Sequence, residues 1–269
     1  MNALEVRDLR YRYPDGTTAL HDVTFSVGAG ERVGLLGPNG AGKSTLLLHL
    51  NGLLPAQRGR AAAVRVFGTP VAEPHLTAIR ATVGLLFQDP DDQLFCPTVG
   101  EDVAFGPRNR RLPEEEVARR VAGSLAAVNL AGFEARSAHH LSGGEKKRAA
   151  IAAVLACRPE ILALDEPWAN LDARAARAVT GIIRAFAGTR IVASQDLHHA
   201  AAVCERLVIL DGGKVVADGP MRELLADAAL LDAHGLEFTA LCPSCRASLS
   251  KRDFAAEPRA GEQANDVPR

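Results

Sequence analysis

Two kinds of hydrophobic pattern alternate along this chain. Short runs rich in Val, Leu and Ile predict strands, and helical patterns lie between them. This alternation is typical of an α/β fold with a largely parallel sheet. The predicted strands span residues 32–36, 82–87, 161–164, 190–193 and 207–210.

Elsewhere the pattern departs from this alternation. Between about residues 89 and 158 it predicts helices separated by Pro and Gly, and Pro113 followed by three glutamates predicts the start of one of them. We therefore predict a helical subdomain inserted into the α/β core. Residues 23–27 alternate like an antiparallel strand, and residues 208–217 predict a hairpin. The polar residues 250–269 predict a disordered tail.

The bulk composition excludes some classes of protein. The 269 residues include 31 Lys plus Arg and 32 Asp plus Glu, so a net charge of −1 gives no electrostatic reason to expect a nucleic-acid partner. The N-terminus carries charges where a signal peptide needs an apolar region, and no apolar run is long enough to span a bilayer. We therefore expect a soluble chain in the cytoplasm, with its five cysteines reduced.

A glycine-rich phosphate loop, GPNGAGKST at residues 37–45, follows the first predicted parallel strand. Its glycines allow consecutive backbone N–H groups to face phosphate oxygens, and the next helix directs its positive end at the same anion. We expect Lys43 to reach the β- and γ-phosphates and Ser44 to bind Mg²⁺. The predicted binding residues are Gly37, Pro38, Asn39, Gly40, Ala41, Gly42, Lys43, Ser44 and Thr45. An amphipathic helix is expected after the loop.

Two carboxylates end the apolar strand at residues 161–164. In parallel sheets the carboxyl ends of neighbouring strands share one edge, so these side chains should face the phosphate loop. We expect Asp165 to hold Mg²⁺ through water and Glu166 to deprotonate an attacking water. For an isolated motif of this kind, the alternative is a buried strand whose acidic end is simply solvated.

The segment LSGGE at residues 141–145 precedes a basic helix and then the strand with two carboxylates. Ser142 and Glu145 have the spacing of a capping box, while Gly143 and Gly144 leave backbone N–H groups exposed at a helix N-terminus. With the other motifs, this segment resembles the signature of the ATP-binding cassette (ABC) ATPases. The resemblance covers roughly residues 3–225.

This resemblance implies further roles. The fold would be the P-loop NTPase type, with a RecA-like α/β core, antiparallel β elements and an inserted helical subdomain. ATP and Mg²⁺ would be the ligands, with Tyr13 stacking on adenine and Gln88 meeting Mg²⁺ and the attacking water. Two cassettes would close head to tail, so that Ser142, Gly143 and Gly144 of one contact the ATP of the other. The D-loop, at residues 170–172, would cross this dimer interface.

Residues 87–107 are more discriminating, because they resemble the ATPases of energy-coupling factor importers, which take up cobalt, nickel or vitamins. That resemblance implies a transmembrane coupling subunit, a substrate-binding membrane subunit and a second ATPase subunit as partners. The chain would then lie peripherally on the cytoplasmic face of the membrane. We expect Leu94, Phe95, Val99 and Phe105 to supply the apolar docking surface. Packing within the helical subdomain is the alternative for each of them.

The chain departs from the ABC pattern at Gln195, which stands where the family has a switch histidine. His198 and His199 are out of register with that position. Glutamine can donate a hydrogen bond to phosphate but cannot exchange protons near neutral pH, so we expect slower hydrolysis. A slowly hydrolysing regulatory ATP-binding module is the alternative function.

The domain prediction is an ABC ATP-binding domain at residues 1–225, a C-terminal extension at 226–249 and the tail at 250–269. The extension contains a lone CxxC pair, Cys242 and Cys245. Plain thiols, metal binding across a dimer and redox chemistry all fit a single pair.

Overall fold

Two β-sheets carry the fold in the computed structural model, which describes residues 1–54 and 63–236. The strands are β1 (Asn2–Arg12), β2 (Thr18–Gly28), β3 (Arg32–Leu36), β4 (Val64–Val66), β5 (Thr69–Pro70), β6 (Val83–Leu86), β7 (Ile161–Asp165), β8 (Thr189–Ser194), β9 (Arg206–Asp211) and β10 (Lys214–Pro220). The α-helices are α1 (Lys43–Leu50), α2 (Leu76–Thr82), α3 (Val99–Asn109), α4 (Glu114–Ala127), α5 (Gly143–Ala156), α6 (Ala173–Ala185), α7 (Leu197–Val203), α8 (Met221–Ala226) and α9 (Ala228–Ala233).

The larger sheet has the strand order β10-β9-β3-β8-β7-β6. Its strands pair in parallel except for β10, which pairs with β9 in the antiparallel hairpin that the sequence predicts. Every residue of β7 is buried, as expected for a strand covered on both faces. The predicted α/β fold with a largely parallel sheet is therefore confirmed.

The smaller sheet has the order β2-β1-β4-β5 and is antiparallel. Its strand β1 was not predicted, because charged residues interrupt the apolar positions Leu4, Val6 and Leu9. Those three side chains are buried in the core beneath the sheet, while Arg7 and Arg10 face solvent. A register shift between Val6 and Leu9 breaks the strict alternation of a half-buried strand, which is a second reason why the pattern did not predict β1.

The segment between β6 and β7 is helical and contains α3, α4 and α5. Capping boxes at Thr98 with Glu101 and at Ser142 with Glu145 fix the starts of α3 and α5. In each box the hydroxyl accepts a backbone N–H and the glutamate accepts another, so two donors of the helix end are satisfied. The α4 helix begins directly after Pro113, as predicted.

The prediction of an amphipathic helix after the phosphate loop is wrong. No residue of α1 is exposed, because Ser44 and Leu48 are partly buried and the other six residues are buried: Lys43, Thr45, Leu46, Leu47, His49 and Leu50. The cause is tertiary, because α1 packs against strands of both sheets. A helix enclosed in this way has no need of a polar face.

Two of the four residues predicted to form the docking surface are buried. Leu94 is 6% exposed and Val99 is 0% exposed, so both belong to the core and neither can contact a partner. Phe95 and Phe105 are 64% and 46% exposed, with their rings edge to face at a centroid separation of 4.9 Å. The exposed aromatic pair, Phe95 and Phe105, is the apolar surface that this segment presents.

Two sequence predictions lie outside the described residues: the CxxC pair Cys242 and Cys245, and the tail at 250–269. Within residues 1–54 and 63–236, no helix combines the length and apolar character needed to cross a membrane.

Candidate nucleotide-binding and catalytic site

The predicted site residues, apart from the signature, meet at one edge of the larger sheet. In the register of the sheet Leu36 pairs with Ser194, and Asp165 pairs with Ala193, so β3, β7 and β8 end side by side. A cavity of about 330 Å³ opens there. Its lining residues are Tyr13, Thr17, Thr18, Ala19, Asn39, Gly40, Ala41, Gly42, Lys43, Ser44, Thr45, Gln88, Glu166, Ala169 and Gln195.

Glycine is required at two points of the phosphate loop. Gly42 caps the N-terminus of α1 with a φ of 100°, and a Cβ there would lie 2.6 Å from the carbonyl oxygen of Ala19. A Cβ on Gly37 would lie 2.0 Å from the carbonyl oxygen of Leu210. Both positions exclude a side chain, so the loop backbone can pass close to its neighbours while its N–H groups face the cavity.

The ammonium group of Lys43 is held in place before any phosphate arrives. Its Nζ donates to the carbonyl oxygens of Gly37 at 2.7 Å and Pro38 at 3.1 Å, and it lies 3.7 Å from Oε1 of Glu166. Burial lowers the pKa of Lys43, while the nearby Glu166 and Asp165 oppose that shift. Lys43 is therefore a buried cation whose charge is balanced by Glu166 and can be balanced instead by an anionic ligand.

The residues around Asp165 fit a Mg²⁺ ion. The carboxylate is buried, and its Oδ1 has no hydrogen-bond partner among the described residues. Burial raises the pKa of Asp165, and a hydrogen bond from Ser44 and the charge of Lys43 oppose the shift. A hard cation binds oxygen ligands, and a buried carboxylate oxygen that accepts no hydrogen bond, next to a serine hydroxyl, supplies them.

Glu166 follows Asp165 with a φ of 41°, in the left-handed region that non-glycine residues seldom adopt. This backbone conformation turns the carboxylate into the cavity, where Oε2 accepts a hydrogen bond from Oγ of Ser194 at 3.1 Å. Burial raises the pKa of Glu166, against the lowering effect of Lys43. A raised pKa makes the carboxylate a better proton acceptor, as a general base requires.

Tyr13, Gln88 and Gln195 also line the cavity, as the sequence predicts. The Tyr13 hydroxyl lies 2.8 Å from Oγ1 of Thr45, and its ring meets Tyr11 edge to face. Tyr13 is therefore both packed on its own strand and present at the cavity. Gln88 and Gln195 line the cavity and are exposed to solvent.

The signature residues do not belong to this cavity. Ser142, Gly143 and Gly144 lie at the N-terminus of α5 and are absent from the cavity lining. Ser142 and Gly143 are exposed to solvent. One chain therefore does not bring the signature to its own phosphate loop.

Three contacts tie the segment after Gln88 to helix α5. Lys147 donates to the carbonyl oxygen of Gln88 at 2.5 Å, and Lys146 pairs with Asp91 at 2.7 Å. The side chain of Gln93 donates to the carbonyl oxygen of Ala150 at 3.1 Å. These contacts join the segment that begins at Gln88 to the helix that begins at the signature.

The sequence analysis did not identify some positions of the site. Thr17, Thr18, Ala19 and Ala169 line the cavity, and Ser194 contacts Glu166. Ser194 lies between the predicted strand at residues 190–193 and Gln195, and this position was the one signal that could have identified it. The residues near Thr18 form no recognisable motif in the sequence. They come to the cavity only because the tertiary fold places β2 beside it.

Comparison with known proteins decides the family, because the ABC transporter family matches residues 20–169. The chain belongs to the ABC transporter family. This ABC protein is 49% identical, over 85% of its length and 74% of the relative, to the energy-coupling factor transporter ATP-binding protein EcfA of Methanothermobacter thermautotrophicus. The predicted resemblance to the energy-coupling factor type is confirmed.

Solved structures agree with the observed fold. One is cbiO1 from Clostridium perfringens, described as part of the ABC transporter complex cbiONQ, at 33% identity and a TM-score of 0.73, covering 93% of this chain and 99% of that one. Another is a dimeric ATP-binding cassette in a post-hydrolysis state with ADP and Pi, at 26% identity and a TM-score of 0.72, covering 81% and 98%. The predicted P-loop NTPase fold of the ABC type is confirmed.

Proposed function

We propose that this ABC protein binds Mg–ATP in the cavity and hydrolyses it to drive an energy-coupling factor importer. The observation that carries the proposal is that Lys43, Ser44 and Glu166 line one cavity, with the buried Asp165 hydrogen-bonded to Ser44 directly behind it. Lys43 would bind the phosphates, and Ser44, Gln88 and Asp165 would hold Mg²⁺. The bound ion would supply charge neutralisation for the phosphates.

The chain's own groups account for the proton transfer that hydrolysis needs. Glu166 accepts a proton from the attacking water, since its pKa is raised and its carboxylate faces the cavity. Lys43 and the N–H groups of the phosphate loop stabilise the charge that develops on the phosphate oxygens. Gln88 and Gln195, at the cavity mouth, are placed to orient the water.

The assembly we propose is a dimer of cassettes bound to two kinds of membrane subunit, one that couples and one that selects the cargo. The signature supports it, because Ser142 is exposed, Gly144 is partly exposed, and neither lines the cavity of its own chain. In a head-to-tail pair they would contact the γ-phosphate held by the other chain. The working domain is residues 1–225, with the helical subdomain at about 89–158, on the cytoplasmic face of the membrane.

Docking on the coupling subunit is assigned to the exposed aromatic pair. Phe95→Glu should reduce co-purification with that subunit by about tenfold or more, because aromatic anchors dominate interface energies. Basal ATPase activity of the isolated protein should stay within about twofold, since Phe95 points to solvent and its backbone N–H remains bonded to Asp102. Pull-down and steady-state ATPase assays measure both effects.

Leu53→Glu is the matched control, because Leu53 is 45% exposed and lies outside the helical segment. It should leave co-purification unchanged. Equal binding by wild type and Phe95→Glu would refute the docking assignment, whereas loss of binding in both variants would show a nonspecific effect of added charge.

The cargo we propose is a cobalt or nickel ion, on the resemblance of residues 87–107 to importers of that kind. A vitamin is the alternative within the same type. Uptake of labelled cobalt, nickel and vitamins by cells with and without this protein distinguishes them. Neighbouring genes for the substrate-binding subunit would give independent evidence.

The regulatory alternative rests on Gln195. If the rest of the site is built for histidine, Gln195→His should raise kcat by about tenfold or more, because it adds a contact to the γ-phosphate. If Gln195 instead orients the attacking water together with Glu166, Gln195→His should leave kcat unchanged or lower it. Gln195→Ala should then be the damaging change. Steady-state assays on the assembled transporter separate these results. Equal rates for all three proteins would show that position 195 is idle.

A further inference from the structure

Ser194 makes a directed contact with the carboxylate assigned as general base. Its side chain is fully buried at the end of β8, and its Oγ donates to Oε2 of Glu166 at 3.1 Å. The same Oγ accepts the backbone N–H of Asp196 at 2.9 Å. Because a hydroxyl carries a single proton, accepting from Asp196 leaves that proton directed at Glu166.

A second set of contacts holds the loop on which this geometry depends. Both carboxylate oxygens of Asp196 are engaged by His199, one by its backbone N–H at 2.9 Å and the other by its Nδ1 at 2.7 Å. The His199 ring stacks on Trp168, with centroids 5.2 Å apart and planes inclined by 24°. We call Asp196, His199 and Trp168 the His199 clasp.

The His199 clasp joins the two segments that flank the cavity. Trp168 lies two residues after Glu166, is 6% exposed and donates from Nε1 to Oγ1 of Thr180 on α6 at 3.1 Å. Asp196 follows Gln195 directly. The clasp therefore fixes the loop that carries Ser194 and Gln195 against the segment that carries Glu166.

Ser194 becomes more important when phosphate is bound. In the structure Glu166 lies 3.7 Å from Lys43, but a phosphate group competes for that ammonium. The Ser194 hydroxyl is not part of the cavity lining and has no such competitor. The backbone N–H of Gln195 also hydrogen-bonds to Glu166, so both supports come from the clasped loop.

We propose that Ser194, held by the His199 clasp, is a positioning residue that orients Glu166 towards the attacking water. The inference rests on the proposed hydrolysis, because it concerns the orientation of the base in that reaction. Ser194 itself touches neither nucleotide nor water. Its contribution should appear in kcat and not in the affinity for Mg–ATP.

Ser194→Ala tests the proposal directly. It should lower kcat by about tenfold, the value of a hydrogen bond to a charged group, and leave KM and the Kd for Mg–ATP within about twofold. Ser194→Thr restores the hydroxyl and should recover at least half of the wild-type kcat. Ser124→Ala is the matched control, since Ser124 is a buried serine on α4 outside the cavity lining.

A double-mutant cycle distinguishes positioning from general damage. If Ser194 acts through Glu166, Ser194→Ala should have no further effect in a Glu166→Gln background, measured by single-turnover hydrolysis of radiolabelled ATP. His199→Ala should also lower kcat, and its effect should vanish in the same background. The exposed neighbour His198 provides the control variant His198→Ala, which should match wild type.

The tryptophan fluorescence of Trp168 gives a structural readout, because it is the single tryptophan in the sequence. In His199→Ala the emission should shift to the red, since the indole loses its stacked ring and gains water. An unshifted spectrum would overturn the clasp.

Additive losses in the double mutants, equal losses for Ser194→Ala and Ser194→Thr, or a change in Kd without a change in kcat would overturn the positioning role. The proposed function fails separately: it is wrong if wild type and Glu166→Gln hydrolyse ATP equally. An active wild type with an unaffected Ser194→Ala variant would reject the inference alone.

Discussion

Lys43→Met should reduce ATP turnover by about 10³-fold and weaken Mg–ATP binding, because it removes the cation at the centre of the phosphate site. Lys43 is buried, and its ammonium is already fixed by the carbonyl oxygens of Gly37 and Pro38. The ammonium is therefore already at the cavity when phosphate binds. Methionine keeps the length of the buried stem, which limits the effect of the substitution on folding.

The loss should have a clear physical signature. Without Lys43, Asp165 and Glu166 lose a cation that lowers the pKa of both, so the pKa of each carboxyl should rise further, although Lys147 still acts on Asp165. Isothermal titration with Mg–ATP and steady-state ATPase assays measure binding and turnover. Lys214→Ala, at an exposed lysine of β10, is the control and should match wild type. Wild-type turnover in Lys43→Met would show that the nucleotide binds elsewhere.

Much of this site could be predicted because its parts are local. The phosphate loop, Asp165 with Glu166, and the signature each occupy a few consecutive residues whose chemistry depends on spacing. The parallel sheet then brings the first two together, since strands that pair in parallel end at a common edge. The capping box at Ser142 was equally local and is observed.

The features that could not be predicted depend on tertiary packing. Leu94 and Phe95 are adjacent and both apolar, yet one is 6% exposed and the other 64%. The helix α1 has a mixed sequence but is enclosed by strands of both sheets. Ser194 is an ordinary strand residue until Glu166 adopts its left-handed backbone conformation and turns towards it. None of these relations is encoded by periodicity or local spacing.

Glu166→Gln should lower kcat by about 10²-fold or more while Mg–ATP binding is retained. Glutamine has the shape of glutamate, so its carbonyl oxygen can still accept from Ser194, but it cannot take a proton from water. The phosphate contacts of Lys43 and the loop are unchanged. Because the substitution removes one negative charge beside the phosphates, nucleotide binding should be at least as tight as in the wild type. ATPase assays and direct binding measurements test both parts.

The same variant should trap the head-to-tail dimer, because bound ATP persists and the signature of each partner can remain on the γ-phosphate. Size-exclusion chromatography with ATP should show a dimer for Glu166→Gln and a monomer without nucleotide. Glu160→Gln is the control, since Glu160 is exposed at the opposite end of the same strand and should behave as wild type. If Glu166→Gln binds ATP and stays monomeric, the exposed Ser142 and Gly143 do not act on a second chain's nucleotide. The signature would then need another role.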